Sequence, residues 1–255
     1  MRLASVGLWL CVAAGGGAPV RASPAPPSAP ATVAGTQALP ACAPAPDLTR
    51  SADAEAGPPS LPTIELPFEV RKDLAGPEVA PGCLLAGRAL DQLAAPEAVI
   101  PCCAIRPKNA RDEAKGFTRG CLAPIVCSYR IGEREVHTRE ELARTLGPIA
   151  TAARAIGVVS VLVPDVFVPI SPAERTAASQ LASRFGWRRV AGAPRSVEVE
   201  QRGDGFVVRV PAYRRCGCRH PLWRVAYRVD RQGAVCPAAE PPALLAAPSR
   251  AVCVD

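Results

Sequence analysis

In the second half of the chain the hydrophobic pattern changes period, from helical spacing within residues 138–186 to alternation within residues 197–236. Thr138-Arg139-Glu140-Glu141 has the form of a capping box, in which the threonine oxygen accepts an early helix amide and Glu141 reaches back. Both acids also suit the positive end of the helix dipole. The pattern predicts a helix from Arg139, an interruption at Gly147-Pro148, and a second helix from Pro148 to about Ile156, before Gly157. Val158 to Val163 (VVSVLV) is a continuous, mostly β-branched run closed by Pro164, and reads as a buried strand. Ser171-Pro172-Ala173-Glu174 starts a further helix that should end at Phe185 before Gly186. Its predicted apolar face is Ala177, Leu181 and Phe185, with Ala178 and Ala182 beside them.

Alternation then takes over. Val197 and Val199 alternate with Glu198 and Glu200, a turn falls at Gly203-Asp204-Gly205, and Phe206, Val208 and Val210 resume the pattern as the second arm of a hairpin. Trp223, Val225, Tyr227 and Val229 alternate again, and Asp230-Arg231-Gln232-Gly233 turns the chain towards Val235 and Cys236. Upstream, Ile64, Leu66, Phe68 and Val70 suggest an edge strand, and Ser128 to Ile131 should pair with Arg134 to Val136 across Gly132-Glu133. The predicted fold class is α+β, with helices packed on a mostly antiparallel sheet and a C-terminal β-meander.

The ends of the chain read differently. Arg2, the apolar run from Leu3 to Ala14 and the small residues around Val20-Arg21-Ala22 predict a cleaved signal peptide over residues 1–22. That run is shorter than the roughly 18 to 20 residues that cross a bilayer, and no later segment reaches that length, so no transmembrane span is expected. Residues 23–62 are dominated by Pro, Ala and Ser and predict a disordered linker or tether. Residues 63–136 form a Cys-rich, β-containing part and residues 137–255 an α+β part, which can belong to one domain.

Cysteine usage sharpens the picture. Once Cys11 is removed with the signal, ten remain: Cys42, Cys83, Cys102, Cys103, Cys121 and Cys127, then a long cysteine-free stretch, then Cys216, Cys218, Cys236 and Cys253. An even set in an exported chain predicts a disulfide framework. If each group closes internally, Cys121 with Cys127 is the natural local pair. Cys102 and Cys103 should reach different partners, because bonding neighbours strains the geometry. Cys42 can either fasten the linker down or join two chains.

Charge adds less. The chain carries a net charge of +7, but its three lysines among many arginines, with abundant Ala, Pro and Gly, look like the coding bias of a GC-rich genome rather than a selected surface. Nucleic acid is therefore not an expected partner, and aromatic stacking residues are scarce. The local concentration of Arg209, Arg214, Arg215, Arg219, Arg224 and Arg228 is a candidate anion-binding face. A protein or an anionic envelope surface is the partner such a face would take.

Catalytic chemistry finds few footholds. Histidine occurs only at His137 and His220, and neither a nucleophile elbow nor a phosphate-binding Gly-rich loop is present. His137 fits a packing role before the helix cap. Cys216, Cys218 and His220 crowd three soft ligands together, but their spacing lacks the gap and second half of a zinc site, so neither metal nor cofactor is expected. Glu140 with Glu141, or Asp165 with Glu174, are carboxylate pairs whose spacing does not fix a catalytic separation. Arg202-Gly203-Asp204 resembles an integrin-type adhesion tripeptide, although the turn alone already calls for Gly and Asp. No Asn-x-Ser/Thr acceptor exists, since the one asparagine, Asn109, precedes Ala110 and Arg111.

These readings predict an exported or cell-envelope, disulfide-rich, non-enzymatic binding or structural module. The alternative is a secreted hydrolase using acidic residues in a cleft between the helices and the meander.

Overall fold

Thr138 caps a helix as the sequence requires: its Oγ1 accepts the Glu141 N–H at 3.1 Å, and helix α1 spans Arg139–Leu146. The reciprocal bond is displaced by one residue, because Glu141 Oε2 accepts from His137 N–H at 3.4 Å rather than from Thr138. Glu141 also takes a 3.0 Å bond from Arg134, which with the His137 amide holds its carboxyl below the usual range. The computed structural model describes residues 38–48, 64–67, 99–105, 117–119, 125–163, 165–169 and 172–254.

Two antiparallel sheets are present among these residues. In the first, β1 (Val99–Ile105), β2 (Phe117–Arg119), β3 (Ile125–Ile131) and β4 (Arg134–Val136) are centred on β3. The expected β3–β4 hairpin is found, with Tyr129 opposite Val136 and Ile131 opposite Arg134. The second sheet has strand order β5-β10-β8-β7-β6, with β9 sharing an edge of β8 with β10. Its members are β5 (Trp187–Arg189), β6 (Glu198–Arg202), β7 (Gly205–Ala212), β8 (Leu222–Val229), β9 (Val235–Pro237) and β10 (Ala243–Pro248). The predicted hairpin closes at Arg202 opposite Gly205, with Gly203 at φ +54°, a left-handed conformation that glycine adopts without a Cβ penalty.

The run from Val158 to Val163 is not a strand. It is the C-terminal half of helix α2 (Ala152–Leu162), which continues through Gly157 and starts four residues later than predicted, at a cap formed by Thr151 Oγ1 and the Arg154 N–H (3.2 Å). The physical reason is burial on every side. Ala155, Ile156, Val158, Val159, Val161 and Leu162 are all buried, so no amphipathic stripe was needed, and the apolar run carried no period to separate helix from strand. Burying each Val or Leu contributes about 1.5–3 kcal/mol, which exceeds the few tenths by which valine disfavours a helix. Pro148 accordingly lies outside any helix, and Ile149 N–H bonds to Arg231 O at 2.8 Å.

Helix α3 (Pro172–Phe185) matches its predicted limits, with Gly186 at φ +60° beyond it. Its packed face is rotated from the predicted one: Ala178, Ala182 and Phe185 are buried, Leu181 is half-buried and Ala177 is exposed. The predicted edge strand at 64–70 is also absent where it can be seen. Ile64 and Leu66 pack against the core without pairing, and Phe68 and Val70 lie outside the described residues. Pro67 removes the ladder donor that such a strand would need.

One large core joins α1, α2 and both sheets. Leu142 and Leu146 of α1, Ile156 and Val159 of α2, and Val208, Val210, Val225 and Val229 of the meander share it with Tyr129, Ile131 and Val136 of the first sheet. Tyr129 Oη donates to Val161 O at 3.0 Å, so the buried hydroxyl is satisfied by the helix backbone. A second core gathers Phe185, Trp187, Tyr213, Leu222 and Leu245 around α3 and β10. None of the described helices is long and apolar enough to cross a membrane.

Candidate functional site

A cleft of about 510 Å³ opens between α1, the end of α2, the β8–β9 edge and residues 45–48. Each wall follows from a local feature. Helix α1 contributes Arg139, Glu140 and Ala143, and α2 ends at Leu162 and Val163 where Val163 N–H bonds back to Val159 O at 2.9 Å. The meander supplies Tyr227, Ala234, Val235, Cys236 and Pro237.

Asp165 lies just past α2 and is drawn in by backbone pairing. Tyr213 N–H donates to Asp165 O at 3.0 Å and Phe167 N–H to Pro211 O at 2.8 Å, which lays residues 165–167 against the end of β7. Burial pushes the Asp165 carboxyl up, while the charges of Arg215 and Arg214 and a bond from the Arg215 N–H pull in the opposite direction. Tyr227 is buried at the cleft, and burial, followed by the Asp165 charge, raises its phenol well above the ordinary tyrosine value. Of the acids singled out in the sequence, Asp165 and Glu140 line the same cleft, whereas Glu141 and Glu174 do not, and neither does His137.

The remaining wall was not legible in the sequence. Ala45, Pro46 and Leu48 come from the Pro/Ala-rich stretch, and they reach the cleft because Cys42 is bonded to Cys236 across a separation of 194 residues. Cys42 thus fastens the segment rather than joining chains. Ala43 N–H bonds to Pro237 O at 2.8 Å, Trp223 Nε1 donates to Leu48 O at 3.3 Å, and Leu48 is only 6% exposed. This bond links the two cysteine groups, so they do not each close internally. A local spacing rule could not find it, because the pairing depends on the meander bringing Cys236 beside the strap.

Cys218 bonds to Cys253, and Cys216 is also in a disulfide, so both sulfurs of the Cys-x-Cys-x-His cluster are engaged. His220, 1% exposed, stacks on Phe185 with ring centroids 4.3 Å apart. Its Nδ1 lies 2.8 Å from Arg214 O and its Nε2 2.9 Å from Val252 O, and its own carbonyl accepts from Trp187 Nε1 at 2.5 Å. The residue ties the 214–220 corner to β5 and the C-terminal segment. Cys102, Cys103 and Cys127 fall on β1 and β3, where Cys103 stands opposite Cys127 in the register. Cys83 and Cys121 lie outside the described residues, and with Cys121 the local pairing to Cys127.

The six candidate arginines divide into two places. Arg209, Arg224 and Arg228 share the outer face of the second sheet, since Arg209 stands opposite Ala226 and Arg228 opposite Val207. Arg209 is bound by Glu240 and Glu200, and Arg224 by Glu198 at 3.2 Å, so an incoming anion would compete with three carboxylates. Arg228 makes no ion pair among the described residues. Arg214, Arg215 and Arg219 are exposed on the cysteine corner instead.

What this geometry defines is a disulfide-stabilised α+β protein with a mainly apolar cleft and a charged outer sheet face. Its sequence matches no family model, and no curated protein or solved structure shows significant similarity to it.

Proposed function

We propose that the chain is an exported binding module that holds a small ligand, apolar in body and carrying one hydrogen-bond donor, in the cleft between α1 and the meander. The observation that carries this reading is the lining: Leu48, Ala143, Leu162, Val163, Val235 and Pro237 surround the space, with Asp165 among the lining residues. A cleft of this size and polarity is typical of small-molecule sites. Export is supported by the disulfides Cys42–Cys236 and Cys218–Cys253, which persist in oxidising compartments, and by the predicted leader.

The test is titration of the oxidised protein with an apolar fluorescent amine. Saturable binding is expected, weakened about tenfold in Ala234→Trp, which places an indole at the cleft from an exposed position, and also weakened in Asp165→Asn. The absence of saturable binding sinks the reading.

A secreted hydrolase is the second reading, favoured by Asp165 and Glu140 lining one cleft. Turnover of a glycoside or ester panel that vanishes in Asp165→Asn would establish it in place of simple binding.

A further inference from the structure

One wall of the cleft is built differently from the others. The floor and the α1 side belong to elements fixed by the main core, whereas Ala45, Pro46 and Leu48 lie on an irregular segment with no helix or sheet of its own beyond a single bridge between Cys42 and Ala238. Segments with few buried contacts open locally at low free energy, so a covalent tie has most effect on such a wall. The tie is Cys42–Cys236, and Cys236 itself lines the cleft. Cys42 is exposed and Cys236 half-buried, so the bond can be reached from solvent.

We infer that residues 38–48 are a disulfide-latched wall and that an external dithiol opens the cleft by reducing Cys42–Cys236. This inference rests on the binding reading above and adds its regulation. In the step, one thiolate of the dithiol attacks a sulfur of the Cys42–Cys236 bond, and the other cysteine leaves as a thiolate that is then protonated. The second thiol of the reagent displaces the mixed disulfide. Two electrons and two protons pass to the protein, Cys42 and Cys236 become thiols, and the dithiol becomes a disulfide. Pro46 and Leu48 then keep non-covalent anchors, among them the bridge at Ala238, the Trp223 bond to Leu48 O, and the burial of Leu48.

The experiment compares the full chain with the double variant Cys42→Ser/Cys236→Ser, reading hydrogen exchange over residues 38–48 and the release rate of the apolar fluorescent amine. Exchange of the strap is expected to rise at least tenfold in the variant, and probe release to accelerate by a similar factor. Dithiothreitol should reproduce both changes in the wild-type chain and cause neither in the variant. Unchanged strap exchange in the variant overturns the latch. Faster exchange with an unchanged release rate overturns its role as a gate. If the oxidised wild-type protein binds no probe, the binding reading fails, and the gating with it, while strap exchange separately reports whether the latch holds. Should the variant not fold, stepwise reduction of the wild type, with alkylation of Cys42 and Cys236 followed by mass, supplies the same comparison.

Discussion

Arg209 and Glu240 meet in a two-pronged ion pair on the outer face of the second sheet, Nε lying 2.8 Å from Oε2 and Nη2 2.7 Å from Oε1. Arg209 is only 8% exposed, so it depends on this partner and on Glu200. Glu240→Gln removes the charge and keeps the shape, and should lower stability by about 1–2 kcal/mol, because bonds to a charged group are worth more than neutral ones. Substituting Arg209 and Glu240 together with Met and Gln should cost less than the sum of the single changes. Additive losses in denaturant unfolding would show that the pair does not act as a unit.

The acids pull stability in opposite directions with pH. Glu200 is held low by its hydrogen bond to Arg202 and then by Arg209, and Glu141 by Arg134. Their contribution is present above 4.5 and is lost as pH falls through their folded values. Asp165 is raised by burial, so the folded state binds its proton more tightly than the unfolded chain, and its ionisation costs stability as pH rises past 3.8. Asp165→Asn should therefore match the wild type near pH 3 and melt higher at neutral pH, by about 2–4 °C for each kcal/mol relieved. A melting difference independent of pH would refute the desolvation of Asp165.

Gly205 is confined by both the sheet and the strap. A Cβ there would run into Val229 O and approach Leu39 Cδ1 to 2.8 Å and Asp230 Cα to 3.1 Å. Backbone cannot yield as a side-chain tip can, so Gly205→Ala should cost about 1–3 kcal/mol and displace Leu39. Chemical denaturation reads the first effect and hydrogen exchange at residues 38–43 the second.

His220→Phe preserves a ring for Phe185 to stack on but removes the two ring nitrogens that face Arg214 O and Val252 O. Losing the ring N–H from a buried carbonyl should cost roughly 1–3 kcal/mol. A near-normal unfolding midpoint would mean that water replaces the ring nitrogens.

Where local chemistry decides, the elements could be read directly: Thr138 for the start of α1, Pro172 and Gly186 for the limits of α3, Gly203 for the hairpin tip. Val158 to Leu162 defeated the reading because a helix buried all round leaves no polar face to set a period. The better signal was Thr151, whose side chain caps the helix that Gly147-Pro148 was expected to start. Strands β5 and β10 are short and lack alternation, and were not anticipated. Asp165 and Glu140 were visible as acids, but their common cleft depends on the end of β7 and on Cys236 finding Cys42, which are contacts between distant parts of the chain.

The same long-range bond gives the chain the topology of a ring. Every peptide bond between Cys42 and Cys236 lies inside a covalent loop closed by sulfur. A protease that cuts once anywhere within it produces a nicked molecule of undiminished size, gaining only the mass of one water. The two pieces separate only when the disulfides that join them are reduced. An oxidised preparation can therefore run as a single intact species on a sizing column while its backbone is already broken.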